Sequence, residues 1–189
     1  MSRSFAALLG VVLLLAAATV RADPYSDTIE LFRNAGASAE FFKHCYGYAV
    51  FPTIGKGGIA VGAAHGKGRV YAKGQYLGDT TVNQVSVGLQ LGGEAYSQII
   101  FFEDKRALDE FTSGDFEFGA DASAVAITAA ADASAGTSGA TASASGGKKD
   151  ATTSGKYFKG MAVFTIVKGG AMYEAAIGGQ KFSYKPKGK

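Results

Sequence analysis

The sequence predicts an α+β fold dominated by strands: a strongly bent antiparallel sheet or small barrel, with short N-terminal helices and one mid-chain helix. Three observations carry this expectation. From Tyr48 onward the apolar residues recur with a period of two, the signature of extended chain. The 189 residues include 27 glycines and only three prolines, and many of the glycines fall in pairs between apolar runs. Strands and helices do not alternate regularly, which argues against a doubly wound fold. The length suits a single domain with a real core.

Met1–Ala22 reads as a secretory signal peptide. Arg3 gives a positive start, Phe5–Val20 is apolar or small, and Val20-Arg21-Ala22 offers a small-x-small cleavage site before Asp23. The apolar stretch is shorter than the ~20 residues a membrane-spanning helix needs. No cysteine directly follows it, so the expectation is an exported, non-lipidated protein, periplasmic or secreted. Cleavage removes Arg3 and Arg21, lowering the formal charge from +3 (19 basic, 16 acidic) to +1. Residues 23–189 then form the single domain.

Within it, Ile29, Phe32 and Ala35 share one side of a helix that Gly36 interrupts. A second short helix follows over Ser38–Tyr46, with Ser38 as its N-cap and Gly47 at its left-handed stop. Tyr48–Ile54, Ile59–Ala64 and Arg69–Ala72 read as strands, separated by turns at Gly55–Gly58 and His65–Gly68. Val85, Val87, Leu89 and Leu91 alternate with Gln84, Ser86, Gly88 and Gln90, the pattern of a half-buried strand. Ala95–Phe102 is apolar on both faces and reads as a central strand. Asp104–Phe111 is a helix capped by Asp104, with Leu108 and Phe111 facing inward. A strand from Asp115 extends to about Ala129. Of the 27 residues in Ala129–Gly155, 23 are Ala, Gly, Ser or Thr, and 130–155 reads as a flexible loop. Met161–Val167, Ala171–Ile177 and Lys181–Tyr184 close the chain as successive hairpins.

Catalytic and cofactor chemistry find no footing. Gly55-Lys56-Gly57-Gly58-Ile59-Ala60 matches a dinucleotide fingerprint in letters, but strand periodicity follows it and no helix N-terminus is available for a pyrophosphate. His44 and His65 have no carboxylate or thiolate at ligand spacing, and His65 reads as a hairpin cap. Cys45 reads as a buried apolar group, one thiol without a disulfide partner. The expectation is a non-enzyme without metal or cofactor, and a balance near neutrality gives nucleic acid no electrostatic footprint.

Charge is segregated along the chain. Between Glu40 and Asp79 stand Lys43, Lys56, Lys67, Arg69 and Lys73 with no acid, whereas Asp79–Asp121 holds nine acids and two bases.

The run Tyr46-Gly47-Tyr48-Ala49-Val50-Phe51-Pro52-Thr53-Ile54-Gly55-Lys56-Gly57-Gly58, with Gly62 and then His65-Gly66-Lys67-Gly68-Arg69-Val70-Tyr71, resembles the SYLF domain family. So do Ser86–Gly93, Gly169–Ala175 and Ile177–Phe182, and the resemblance covers nearly all of Ser26–Tyr184. It implies a lipid-binding module. Eukaryotic members bind phosphoinositides at cortical actin and endocytic membranes through a leading amphipathic helix and basic residues. Here the corresponding Tyr25–Asn34 carries Asp27, Glu30 and only Arg33, a departure from that pattern. The expected partner is an anionic phospholipid or membrane surface, met by Lys56, Lys67, Arg69 and Lys73. An apolar contribution is expected from Phe41 and Phe42 or Tyr71 and Tyr76. The alternative is a structural or protein-interaction module contacting another envelope protein, without intrinsic lipid affinity.

Overall fold

The computed structural model describes residues 23–35, 38–118, 157 and 159–188. The signal peptide, the continuation of the strand beyond Phe118 and the 130–155 loop lie outside them. In chain order the elements are α1 (Pro24–Arg33), α2 (Ser38–His44), β1 (Gly47–Ala72), β2 (Gln75–Phe102), α3 (Lys105–Phe111), β3 (Asp115–Phe118) and β4 (Met161–Pro186). The four described strands form one antiparallel sheet in the order β1-β2-β4-β3. β1 and β3 are its edges, so the sheet is open and the closed-barrel form does not appear among these strands.

The strands are far longer than their sequence suggests. Gly55–Gly58 and His65–Gly68 make no turns: both lie inside β1, and the hairpin to β2 turns at Lys73-Gly74, where both residues have positive φ. The C-terminal glycine pairs likewise fall inside the single strand β4, and no hairpins form there. Pairing with β2 satisfies the backbone groups that a turn would otherwise claim.

β1 instead folds back on itself. Its pairing with β2 shifts between Ile59↔Leu91 and Val61↔Val87, so Ala60 alone stands against residues 88–90. Ala60 (φ 62°), Gly88 (φ 152°) and Gly92 (φ 123°) mark the place. The halves on either side lie face to face. A Cβ at Gly68 would stand 2.6 Å from two ring carbons of Phe51, and one at Gly66 would stand 2.6 Å from Ile54 Cγ1. The buried row Gly62, Ala64, Gly66 and Gly68 therefore acts as a smooth bed for the large side chains opposite.

Gly47 also differs from expectation. It opens β1 and caps no helix; a Cβ there would lie 2.5 Å from the Tyr71 carbonyl oxygen. Ser38 begins α2, and its hydroxyl donates to the carbonyls of Phe32 and Ala35, tying α2 back to α1.

Two apolar clusters flank the first half of the sheet. On one side, Phe51, Ile54, Ile100 and Phe102 meet Ala64, Val70, Val82 and Phe182 from the second half, and α3 contributes Leu108 and Phe111. On the other, Val50, Ile99, Phe101 and Phe164 are covered by Phe32, Phe41 and Phe42 of α1 and α2. α3 forms as its sequence predicts, with the Asp104 carboxylate accepting from the Ala107 N–H at 2.8 Å. Among the described residues no helix is long and apolar enough to cross a membrane.

Candidate functional site

The second half of the folded sheet has an outer face that, apart from α1 at Arg69, no described element covers. Odd-numbered residues of β1, β2 and β4 point to it, and register partners line up in rows. Nearest the fold-back stand Val61 and Val87, then Ala63 and Val85. Next come His65, Asn83 and Lys181, then Lys67, Thr81 and Ser183, and last Arg69, Asp79 and Lys185. Polarity thus rises row by row away from the fold-back.

The alternation over 84–91 is inverted relative to a half-buried strand. Val85 and Val87 are each 62% exposed, Val61 57%, Leu91 61% and Ile59 75%, whereas Gln84 and Ser86 are buried. The interior accommodates this with an amide network. Gln180 Nε2 donates to Gln84 Oε1 at 3.0 Å and to Gln98 Oε1 at 3.4 Å. Buried polar groups are tolerable when they find such partners.

The four sequence-predicted cations do not gather on one face. Lys56 is buried in β1, in register with Glu94, beside a shallow depression of ≈ 600 Å³ lined by Gly55, Gly57, Gly93, Ala95 and Gly169. Lys73 sits in the turn at the opposite end of the strand, with Nζ 5.2 Å from the Tyr46 ring centroid. Arg69 is already engaged: Nη1 lies 3.1 Å from Asp23 Oδ2, Nε lies 4.0 Å from Asp79 Oδ1, and the guanidinium stacks 4.0 Å from the Tyr25 ring. Lys67 is exposed and has no ion-pair partner among the described residues. Sequence reasoning missed Lys181 and Lys185 on the same face. Lys181 pairs with Glu117 at 3.4 Å, and Lys185 is exposed. Their odd-number parity with Ser183 was the available signal.

The aromatics proposed as an apolar contribution are committed to packing. Phe41 lies 4.9 Å from Phe164 and 5.6 Å from Phe101, and Tyr71 stacks on Tyr48 at 5.4 Å. Tyr76 donates its hydroxyl to Asp79 at 2.7 Å, and burial together with that bond pushes its pKa up to about 12. His65 is mid-strand, with Nδ1 2.8 Å from Asn83 Oδ1, and caps no hairpin. Cys45 is a half-buried free thiol whose pKa burial raises. Among the described residues no three His, Cys, Asp or Glu side chains gather to hold a metal ion.

The Ysc84 family, described as "Las17-binding protein actin regulator", matches residues 83–185, a stretch that takes in the inverted rows of β2 and all of β4 but Pro186. The chain belongs to this SYLF-type family. It is a family of binding domains, associated in general with lipid and with actin-patch proteins. The chain is also 28% identical over 165 residues to Beta cell expansion factor A of Aeromonas veronii, covering 82% of this chain and 51% of that protein. It spans about half the length of that curated relative. No solved structure matches it.

Proposed function

We propose that this SYLF domain is an exported protein that binds phospholipid surfaces, peripherally and without catalysis, in the periplasm or outside the cell. Family membership supports a lipid-binding type of domain. The signal-peptide pattern of Met1–Ala22 supports export, and cleavage there leaves Asp23, the partner of Arg69, as the first residue. The reading takes 23–189 as one domain built on a sheet bent about Ala60.

The single observation that carries the reading is the outer sheet face, where Lys67 and Lys185 stand exposed beyond the apolar rows. Of the four cations read from the sequence, Lys67 takes the headgroup contact. Arg69 fixes α1 beside it, and Lys56 and Lys73 lie near the two ends of the second half of β1. The electrostatic part is small. Each cation at an anionic surface contributes about 1 kcal/mol, so Lys67 and Lys185 together give about 2 kcal/mol, an affinity in the tens of millimolar. Useful binding therefore requires an apolar contribution of greater size.

Co-sedimentation with phosphatidylglycerol–phosphatidylcholine and pure phosphatidylcholine vesicles tests the reading. Binding to the anionic vesicles is expected, weakened about thirtyfold by Lys67→Ala with Lys185→Ala. Failure to bind either vesicle at low salt refutes it, and favours the alternative of a protein-interaction module.

A further inference from the structure

We propose that the fold-back end of the sheet inserts into the lipid: Ile59, Val61, Val85, Val87 and Leu91 enter the headgroup–acyl boundary while Lys67 and Lys185 rest among the headgroups. This deepens the phospholipid reading and rests on it.

Exposure alone would not justify the inference, since single apolar side chains on a surface are ordinary. Here five of them form one contiguous end of the molecule: Ile59 pairs with Leu91, Val61 with Val87, and Ala63 with Val85 across the β1–β2 ladder. The arrangement also runs against burial. A one-residue slip would place the valines inside and the glutamine and serine outside. That slip is blocked by the same strands nearer the base, where Val70, Val82 and Phe182 are buried and Lys67, Asp79 and Lys181 are exposed. Gln84, Gln98 and Gln180 satisfy one another inside, so the interior of the fold-back end is stable without valine. A local rule broken at one place, with its compensation built beneath it, marks a working surface.

The dimensions suit a lipid surface. From Ala60 to Ala63 the strand advances about 10 Å, the depth to which interfacial apolar faces sink. Lys67 follows about 13 Å further along, within side-chain reach of the headgroups, and its positive charge is complementary to anionic lipid. The exposed apolar side chains outnumber the cations of the face that have no ion-pair partner among the described residues, so most of the binding free energy should persist at high salt.

The chain contains no tryptophan, so a single one reports on its own position. Val87→Trp is placed at the fold-back end and Gln75→Trp at the opposite end, where β1 turns into β2. With phosphatidylglycerol–phosphatidylcholine vesicles, Val87→Trp should shift to the blue and be quenched by lipids brominated on their acyl chains. Gln75→Trp should do neither. The double variant Val61→Asp/Val87→Asp should bind these vesicles at least about tenfold more weakly. Its circular dichroism should be unchanged, because both side chains are exposed. If the unmodified protein binds vesicles while Val87→Trp stays unquenched and the Asp variant keeps its affinity, the insertion is overturned and the lipid reading stands. If the unmodified protein binds no vesicle, both fall. A blue shift without lipid that grows with protein concentration assigns this end to a second copy of the chain and overturns the proposal.

Discussion

Replacing Gly68 by alanine tests whether the two halves of β1 truly face each other. The added methyl would lie 2.6 Å from Phe51 Cδ1 and Cε1 and 2.8 Å from the Val50 carbonyl oxygen. Carbon contacts are comfortable at about 3.5–4.0 Å, so the overlap is about 1 Å. The phenylalanine ring is hemmed in, with Phe182 5.8 Å away, and the Val50 backbone is held in the ladder opposite Ile99. Overpacking of this kind costs about 1–3 kcal/mol. Against that, alanine reduces the freedom of the unfolded chain and returns about 0.4–1 kcal/mol. The net expectation is a loss of about 1–2 kcal/mol, which lowers a urea midpoint by about 0.5–1 M at an m-value near 2 kcal/mol/M. Gly55→Ala is the matched control, since a Cβ there meets nothing within 4 Å. It should be neutral or slightly stabilising. The penalty of Gly68→Ala should shrink in a Phe51→Leu background, because the two residues share one space. Equal midpoints for Gly68→Ala and Gly55→Ala would falsify the face-to-face arrangement.

Two further outcomes concern Arg69 and the tyrosines Tyr76 and Tyr157. Arg69→Ala should cost about 1–2 kcal/mol, combining a solvent-screened ion pair with the cation–π contacts to Tyr25 and Tyr76. It should also accelerate amide exchange in α1; exchange as slow as before would show that Arg69 does not hold that helix. Separately, burial and the Asp79 bond raise Tyr76 to about 12, and burial raises Tyr157 to about 12, from 10.0. The folded state thus holds these protons more tightly than the unfolded chain. The associated stability is complete below about pH 10 and is lost as pH rises to about 12. Melting temperature should fall across that interval, less steeply in Tyr157→Phe, and a flat profile would contradict the raised values.

The strand periodicity, the central position of Ala95–Phe102 and the capped helix after Asp104 were legible because each rests on local chemistry. The extent of the strands was not. Gly55–Gly58 and Gly178-Gly179 have turn composition, yet glycine serves equally where backbones approach closely. Only the partner strand decides between the two uses. The cations failed for a related reason. Lys67 and Arg69 share a face by simple parity, but Arg69 is claimed by Asp23, 46 residues away in sequence. No local pattern announces that contact.

The inverted rows show most clearly how a distant constraint overrides a local one. Read alone, Val85-Ser86-Val87 places its valines inside. But β2 is continuous from Gln75 to Phe102, and parity is inherited along a strand. Val82 is fully buried beside Phe182, so Val85 and Val87 must face outward. The same parity carries past Gly88, where the β1–β2 ladder shifts and the strand folds back: Leu91 is still exposed, and Tyr96 and Gln98 are still buried. The apolar end is therefore fixed by the packing at the base of the sheet and cannot withdraw without breaking it. Under the proposed lipid binding, a surface held open in this way needs no prior rearrangement, and its affinity should depend on the side chains it presents more than on any conformational change.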